Sequence, residues 1–197
     1  VRLERESPRF ALDARGLLIP GPVRMAAQSN GRGQSWAGKL AEVLVIGVQR
    51  HPLEAFLRSA CDAVEFEGEQ VLIGRRDIRG FRLRIYAVLF PPGAAELSRL
   101  DLIAERALGG ILLYPWEPSG DQTRAEELVD RYDRHAEGPL LIAAYGPSGS
   151  PLPRVGTGTG LRVGDKARLV GMDLRDPQSA LRVLLDLLSL AAERAPE

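Results

Sequence analysis

Short, largely apolar runs recur along this chain with helix-patterned segments between them, and that alternation limits the fold more than any other feature. Glu42–Gly47, Val71–Gly74, Phe81–Phe90, Gly110–Tyr114, Leu140–Tyr145 and Ala167–Met172 read as strands. Strands that are apolar without interruption are covered on both faces, which is the mark of a mainly parallel sheet between helical layers. Leu53, Phe56, Leu57 and Ala60 fall at helical spacing over 52–62, and Leu97, Leu100, Ile103 and Ala107 repeat the pattern. A third helix is expected over 121–136 with Asp121 as N-cap candidate, and a fourth over 177–195, opened by Pro177 and carrying Leu181, Leu184, Leu185 and Leu188. Arg75–Gly80 reads as a turn joining two adjacent strands, and strands joined so briefly pair antiparallel. The expected fold is a three-layer α/β domain over 39–197, mainly parallel with one antiparallel hairpin, in the order β-α-β-β-α-β-α-β-α.

Residues 1–38 differ in kind. Mixed charges, Pro20, Pro22 and a Gly/Ser/Gln patch surround one short apolar run, Leu17-Leu18-Ile19, so a flexible arm with little structure of its own is expected. Among 197 residues, 26 basic side chains balance 26 acidic ones, which leaves no global field to attract nucleic acid or an anionic membrane. No run reaches the ~18 apolar residues needed to span a bilayer, and residues 1–20 lack a signal-type apolar core. Cys61 is the only cysteine, which excludes an internal disulfide or a cysteine-based zinc cluster and suits the cytoplasm. In its apolar context Cys61 is expected to be a structural thiol rather than a reactive one.

The strand ending at Gly47 and the helix opening near Pro52 frame a phosphate-binding loop of the G-x-x-x-x-G-K-[ST] type. Such a loop works through backbone N–H groups, a lysine ammonium and a magnesium-binding hydroxyl. Here Pro52 has no N–H, Leu53 no charge, and Glu54 sets a carboxylate where polyphosphate would lie. Gly33-Gln34-Ser35-Trp36-Ala37-Gly38-Lys39-Leu40 matches the pattern literally, but Leu40 replaces the hydroxyl and the run precedes a strand rather than following one. Gly156-Thr157-Gly158-Thr159-Gly160 has no lysine and no helix after it, and reads as a connection.

The element order is that of small GTPases, and several segments resemble the MglA-type bacterial group within them. Val88-Leu89-Phe90-Pro91-Pro92-Gly93-Ala94 resembles that family's L-F-G-T-P-G-Q turn, and Ala107–Leu113 its G-A-L-G-A-V-V-L strand entry. Met172-Asp173-Leu174-Arg175 resembles its C-D-A-R segment, which lies beside the guanine base. Departures fall at the nucleotide contacts: Pro52, Leu53 and Glu54 in the phosphate loop, Pro91 and Ala94 for the family's Thr and Gln, and Tyr145-Gly146-Pro147-Ser148 for N-K-x-D. The resemblance therefore implies a pseudo-GTPase that has lost GTP and magnesium binding, and so a regulatory interaction protein rather than an enzyme.

By the same resemblance, its partner would be a roadblock/LC7-type protein or an active small GTPase. Arg75, Arg76, Arg79, Arg82 and Arg84, with Asp77 the only acid among them, form the first candidate binding surface. Trp116 at the end of a central strand could fill the nucleotide position or anchor a partner, and Tyr145 invites the same two readings. His51 reads as an exposed loop histidine, His51 and His135 are too few for a metal site, and Asp173 with Arg175 reads as a loop-pinning pair. Two rivals remain at this stage: a divergent GTP-binding protein using Lys39, and an unrelated α/β enzyme that reused the cleft.

Overall fold

The computed structural model describes residues 11–12, 18–19, 39–67, 70–78, 81–90, 98–116, 122–146 and 166–194. The chain divides into two compact units, Val1–Trp36 and Ala37–Glu197. In the first, β1 (Ala11–Leu12) pairs antiparallel with β2 (Leu18–Ile19), which uses the apolar step of the arm. The rest of the arm lies outside the described residues.

The second unit runs β3 (Lys39–Gly47), α1 (Arg50–Ala60), β4 (Ala63–Glu67), β5 (Val71–Ile78), β6 (Phe81–Leu89), α2 (Ser98–Ala104), β7 (Gly109–Pro115), α3 (Gln122–His135), β8 (Leu140–Tyr145), β9 (Ala167–Gly171) and α4 (Pro177–Arg194). Its seven strands form one sheet in the order β4-β5-β6-β3-β7-β8-β9. Strand β3 lies at the centre, parallel to β6 and β7, while β7, β8 and β9 continue parallel and β4, β5 and β6 alternate in direction. The parallel majority and the antiparallel hairpin are as the apolar runs predict.

Two details differ from the sequence expectation. Edge strand β4 was not anticipated, although Val64 and Phe66 alternate with Ala63, Glu65 and Glu67 in a half-buried strand pattern. Arg75–Ile78 is strand rather than turn, because its residues pair along β6 in register, Arg75 with Arg84 and Asp77 with Arg82. Long charged side chains are compatible with a strand whose polar face meets solvent.

Alternation along β3 divides the core. Val43 and Val45 face α1 and α4 with Phe56, Leu57, Leu184 and Leu187, whereas Leu44 and Ile46 face α2 and α3 with Leu100, Leu128 and Tyr132. The second layer approaches closely at Gly110, where an added Cβ would lie 2.5 Å from Tyr132 Cε2. That ring cannot retreat easily, since it is fully buried and its hydroxyl donates to the Pro139 carbonyl oxygen at 3.1 Å. Across the same face Arg131 of α3 donates two hydrogen bonds to the Asp101 carboxylate of α2, at 2.5 and 2.6 Å.

Two outcomes follow from this packing. Gly110→Ala should lower unfolding free energy by about 1–3 kcal/mol, the usual cost of overfilling a packed core, with an unchanged m-value in urea. Cys61 ends α1 against Gly74, and burial pushes its thiol from 9.0 up to about 12, with Arg76 opposing the shift and Asp62 adding to it. At pH 8 the folded chain should therefore react with a thiol reagent roughly a thousandfold more slowly than the urea-unfolded chain.

Candidate functional site

The chain passes from β3 to α1 through only Val48 and Gln49. A phosphate loop has four residues between its first glycine and the Gly-Lys step. Here Arg50 and His51, which would belong to that loop, already form the first turn of α1, so His51 is an exposed helical residue rather than a loop residue. Pro52 is the third residue of the helix and is buried; its missing N–H costs nothing there, because the first-turn amides have no intrahelical acceptor.

Leu53, which aligns with the lysine of the pattern, is fully buried in the core. It rests on Gly47, where an added Cβ would lie 2.9 Å from Leu53 Cγ. Glu54 is held by its own helix, with Arg50 Nε donating to one carboxylate oxygen at 2.7 Å and Arg58 Nη2 to the other at 3.3 Å. The Arg50 hydrogen bond is the main reason that its carboxyl titrates below the ordinary glutamate value. Glycine, leucine and glutamate here thus serve packing and a helical ion pair.

Neighbouring strand ends are tied to the same turn. Phe90, just past β6, donates its N–H to the Gly47 carbonyl oxygen at 2.8 Å. Arg124 from α3 lies over the Phe90 ring at 4.8 Å and donates to the Phe90 carbonyl oxygen at 3.3 Å. No local sequence signal marks that contact, which joins residues far apart in the chain. Trp116 donates its backbone N–H to the Tyr145 carbonyl oxygen at 2.5 Å. Half-buried Trp116 packs against the α2–α3 layer, whereas buried Tyr145 belongs to the α1–α4 layer, so the two aromatics lie on opposite faces of the sheet.

Asp173 forms a self-capped turn before α4. Its Oδ1 accepts from the Arg175 N–H at 2.9 Å, and its own N–H donates to the buried Ser179 hydroxyl oxygen at 3.0 Å. Asp176 is the N-cap that precedes Pro177: its Oδ1 accepts from the Gln178 N–H at 2.9 Å while Oδ2 meets Arg182 at 2.8 Å. Pro91, Gly93, Ala94, Ser148, Arg79, Asp121 and the Gly156–Gly160 run lie outside the described residues.

Lys39 is the first residue of β3, and eight residues of extended chain separate it from Gly47. That is roughly 26 Å of strand, so a lysine at this position does not reach the β3–α1 turn. The hairpin arginines are less alone than in sequence, because Asp62 before β4, Glu65 on β4 and Asp77 on β5 stand beside them. Arg75 meets Glu65 at 3.1 Å, Arg76 meets Asp62 at 3.7 Å, and Arg82 meets Asp77 at 3.5 Å. Among the described residues no cluster of three or more His, Cys, Asp or Glu could hold a metal ion, and no helix is long and apolar enough to cross a membrane.

No protein-family model and no curated protein matches the chain in sequence. Among solved structures the fold is similar to nucleolar GTP-binding protein 1 from Plasmodium falciparum, with a TM-score of 0.53 and 10% identity over 79% of this chain and 88% of that one. The architecture is thus a mainly parallel α/β fold like that of a GTP-binding protein, and its β3–α1 connection is a two-residue turn.

Leu53→Lys tests whether that turn can present a lysine. An unpaired ammonium in a fully buried position should cost about 3–5 kcal/mol in urea unfolding, with no gain in nucleotide affinity by calorimetry. A stable Leu53→Lys protein that binds GTP would show that the two-residue turn can present a lysine to phosphate.

Proposed function

We propose that this chain is a catalytically silent relative of the MglA-type small GTPases and acts by binding a roadblock-type protein or an active small GTPase in the cytoplasm. The observation that carries the reading is the β3–α1 turn, where α1 begins at Arg50 and draws the lysine-equivalent Leu53 into the core. A backbone cradle, an ammonium and a metal-binding hydroxyl are missing together. At ~1.5–3 kcal/mol for each charge-assisted contact, three losses weaken binding by roughly three to six orders of magnitude. GTP and magnesium are therefore no part of the proposed activity. A domain without this fuel has one conformation to offer, and its mode of action is occupancy of a partner rather than a hydrolytic cycle.

Isothermal titration of the full chain with GTP, GDP and ATP, each with and without magnesium, should give no binding tighter than about 1 mM. Magnesium-dependent binding in the micromolar range would overturn the reading. Affinity capture from the native host should return a roadblock-type protein or a small GTPase, and capture of neither would remove the partner half of the proposal.

A further inference from the structure

The opposite end of the sheet carries a groove of about 360 Å³ between the starts of β3 and β6, the end of β5 and the start of β4. Its lining contains four arginines, Arg75, Arg76, Arg82 and Arg84, against two aspartates, Asp62 and Asp77. Strand register explains how Arg75, Arg82, Arg84 and Asp77 converge. Leu40, Arg82 and Asp77 form one row across β3, β6 and β5, and Glu42, Arg84, Arg75 and Ala63 form the row two residues further on the same face.

Two features of these rows are unfavourable in an isolated domain. Arg84 and Arg75 are direct cross-strand partners, and like charges placed opposite one another destabilise a sheet. Glu65 meets Arg75 at 3.1 Å, but Arg84 donates to the neutral Tyr86 hydroxyl at 3.4 Å, and that hydroxyl donates onward to Glu42 at 3.0 Å. Glu42 is itself held by Arg106 at 2.9–3.2 Å. Beside them Leu40 is 55% exposed and forms part of the groove wall.

We propose that this groove binds an acidic segment of a partner protein, placing a carboxylate on Arg84 and Arg75 and an apolar side chain on Leu40. The proposal rests on the reading that the chain works through a protein partner, and is independent of whether nucleotide binding is lost. Guanidinium forks suit carboxylates through paired N–H donors. The existing Arg82–Asp77 and Arg76–Asp62 pairs, at 3.5 and 3.7 Å on largely exposed carboxylates, are weak enough to exchange for a partner's acids. A free phosphate ion would use the arginines but not Leu40, which is why an acidic and apolar peptide fits better. Seven residues of β3, roughly 23 Å, separate Leu40 from Gly47, so such a partner binds away from the β3–α1 turn.

Fluorescence anisotropy of the full chain with labelled octapeptides tests this directly. A peptide of alternating glutamate and leucine should bind with a Kd on the order of 50 µM, and alternating lysine and leucine should not bind. Replacing the leucines by serine should weaken binding roughly tenfold, as should Arg84→Ala or, on the exposed surface, Leu40→Ser, with the thermal midpoint checked for each variant. Equal binding of the serine peptide would reduce the groove to a polyanion surface and overturn the proposal, as would no binding below 1 mM or indifference to both variants. GTP binding found alongside intact peptide binding would overturn the silent-GTPase reading and leave the groove standing. Peptide failure with a partner still captured from the native host would overturn the groove alone.

Discussion

Helix α1 lies against the sheet because Gly47 has no side chain. With a Cβ 2.9 Å from Leu53 Cγ, the leucine would have to shift where α1 meets the central strand. The same contact fixes where the helix can begin. Seating Leu53 in the core brings the first turn forward to Arg50 and leaves only Val48 and Gln49 to reverse the chain. A phosphate cradle demands the opposite arrangement, a loop of free N–H groups with the lysine directed to the ligand. Core packing and phosphate binding thus compete for one short segment, and in this chain packing has it.

Charge follows a similar economy on the described surface. Glu54 is held between Arg50 and Arg58, Asp101 by Arg131, and Glu42 by Arg106. The Arg131–Asp101 pair is largely shielded and joins α2 to α3 with paired donors, so it contributes more than the solvent-exposed hairpin pairs. Arg124 adds a stacked cation over Phe90, where the ring loses water on one face and the guanidinium still reaches a carbonyl. Arginine, rather than lysine, makes every one of these contacts, as planar multi-donor geometry requires.

Much of the fold was legible because burial on both faces leaves a mark in local sequence. The runs that became β7 and β8 are apolar throughout, that of β3 is apolar from Val43 on, and Pro177 marked the start of α4. Edge strand β4 carries only a five-residue alternating pattern, and Arg75–Ile78 reads as a turn because three of its four residues are charged. Pro52 suggested a later start for α1, yet proline is tolerated anywhere in the first turn, so the position of Leu53 in the core decided the boundary. The two-residue length of the β3–α1 turn had no such mark in the sequence. The Arg124–Phe90 stack and the Glu42–Arg106 pair join distant parts of the chain, and no spacing rule encodes them.

The two ends of β3 now make different demands on a partner. A switch protein couples its binding surface to its phosphate site through a segment that has two arrangements, one of them stabilised by the terminal phosphate and its metal. Strand β3 offers no such freedom: it is paired along all nine residues with β6 and along its second half with β7, and over Val43–Ile46 both its faces are packed. A ligand at Leu40 and Arg84 would therefore leave the β3–α1 turn unchanged, and a change at that turn would not reach the groove through β3. On the proposed reading this insulation is what makes the domain useful, because a surface that never responds to nucleotide can hold a partner throughout a cycle that other proteins run.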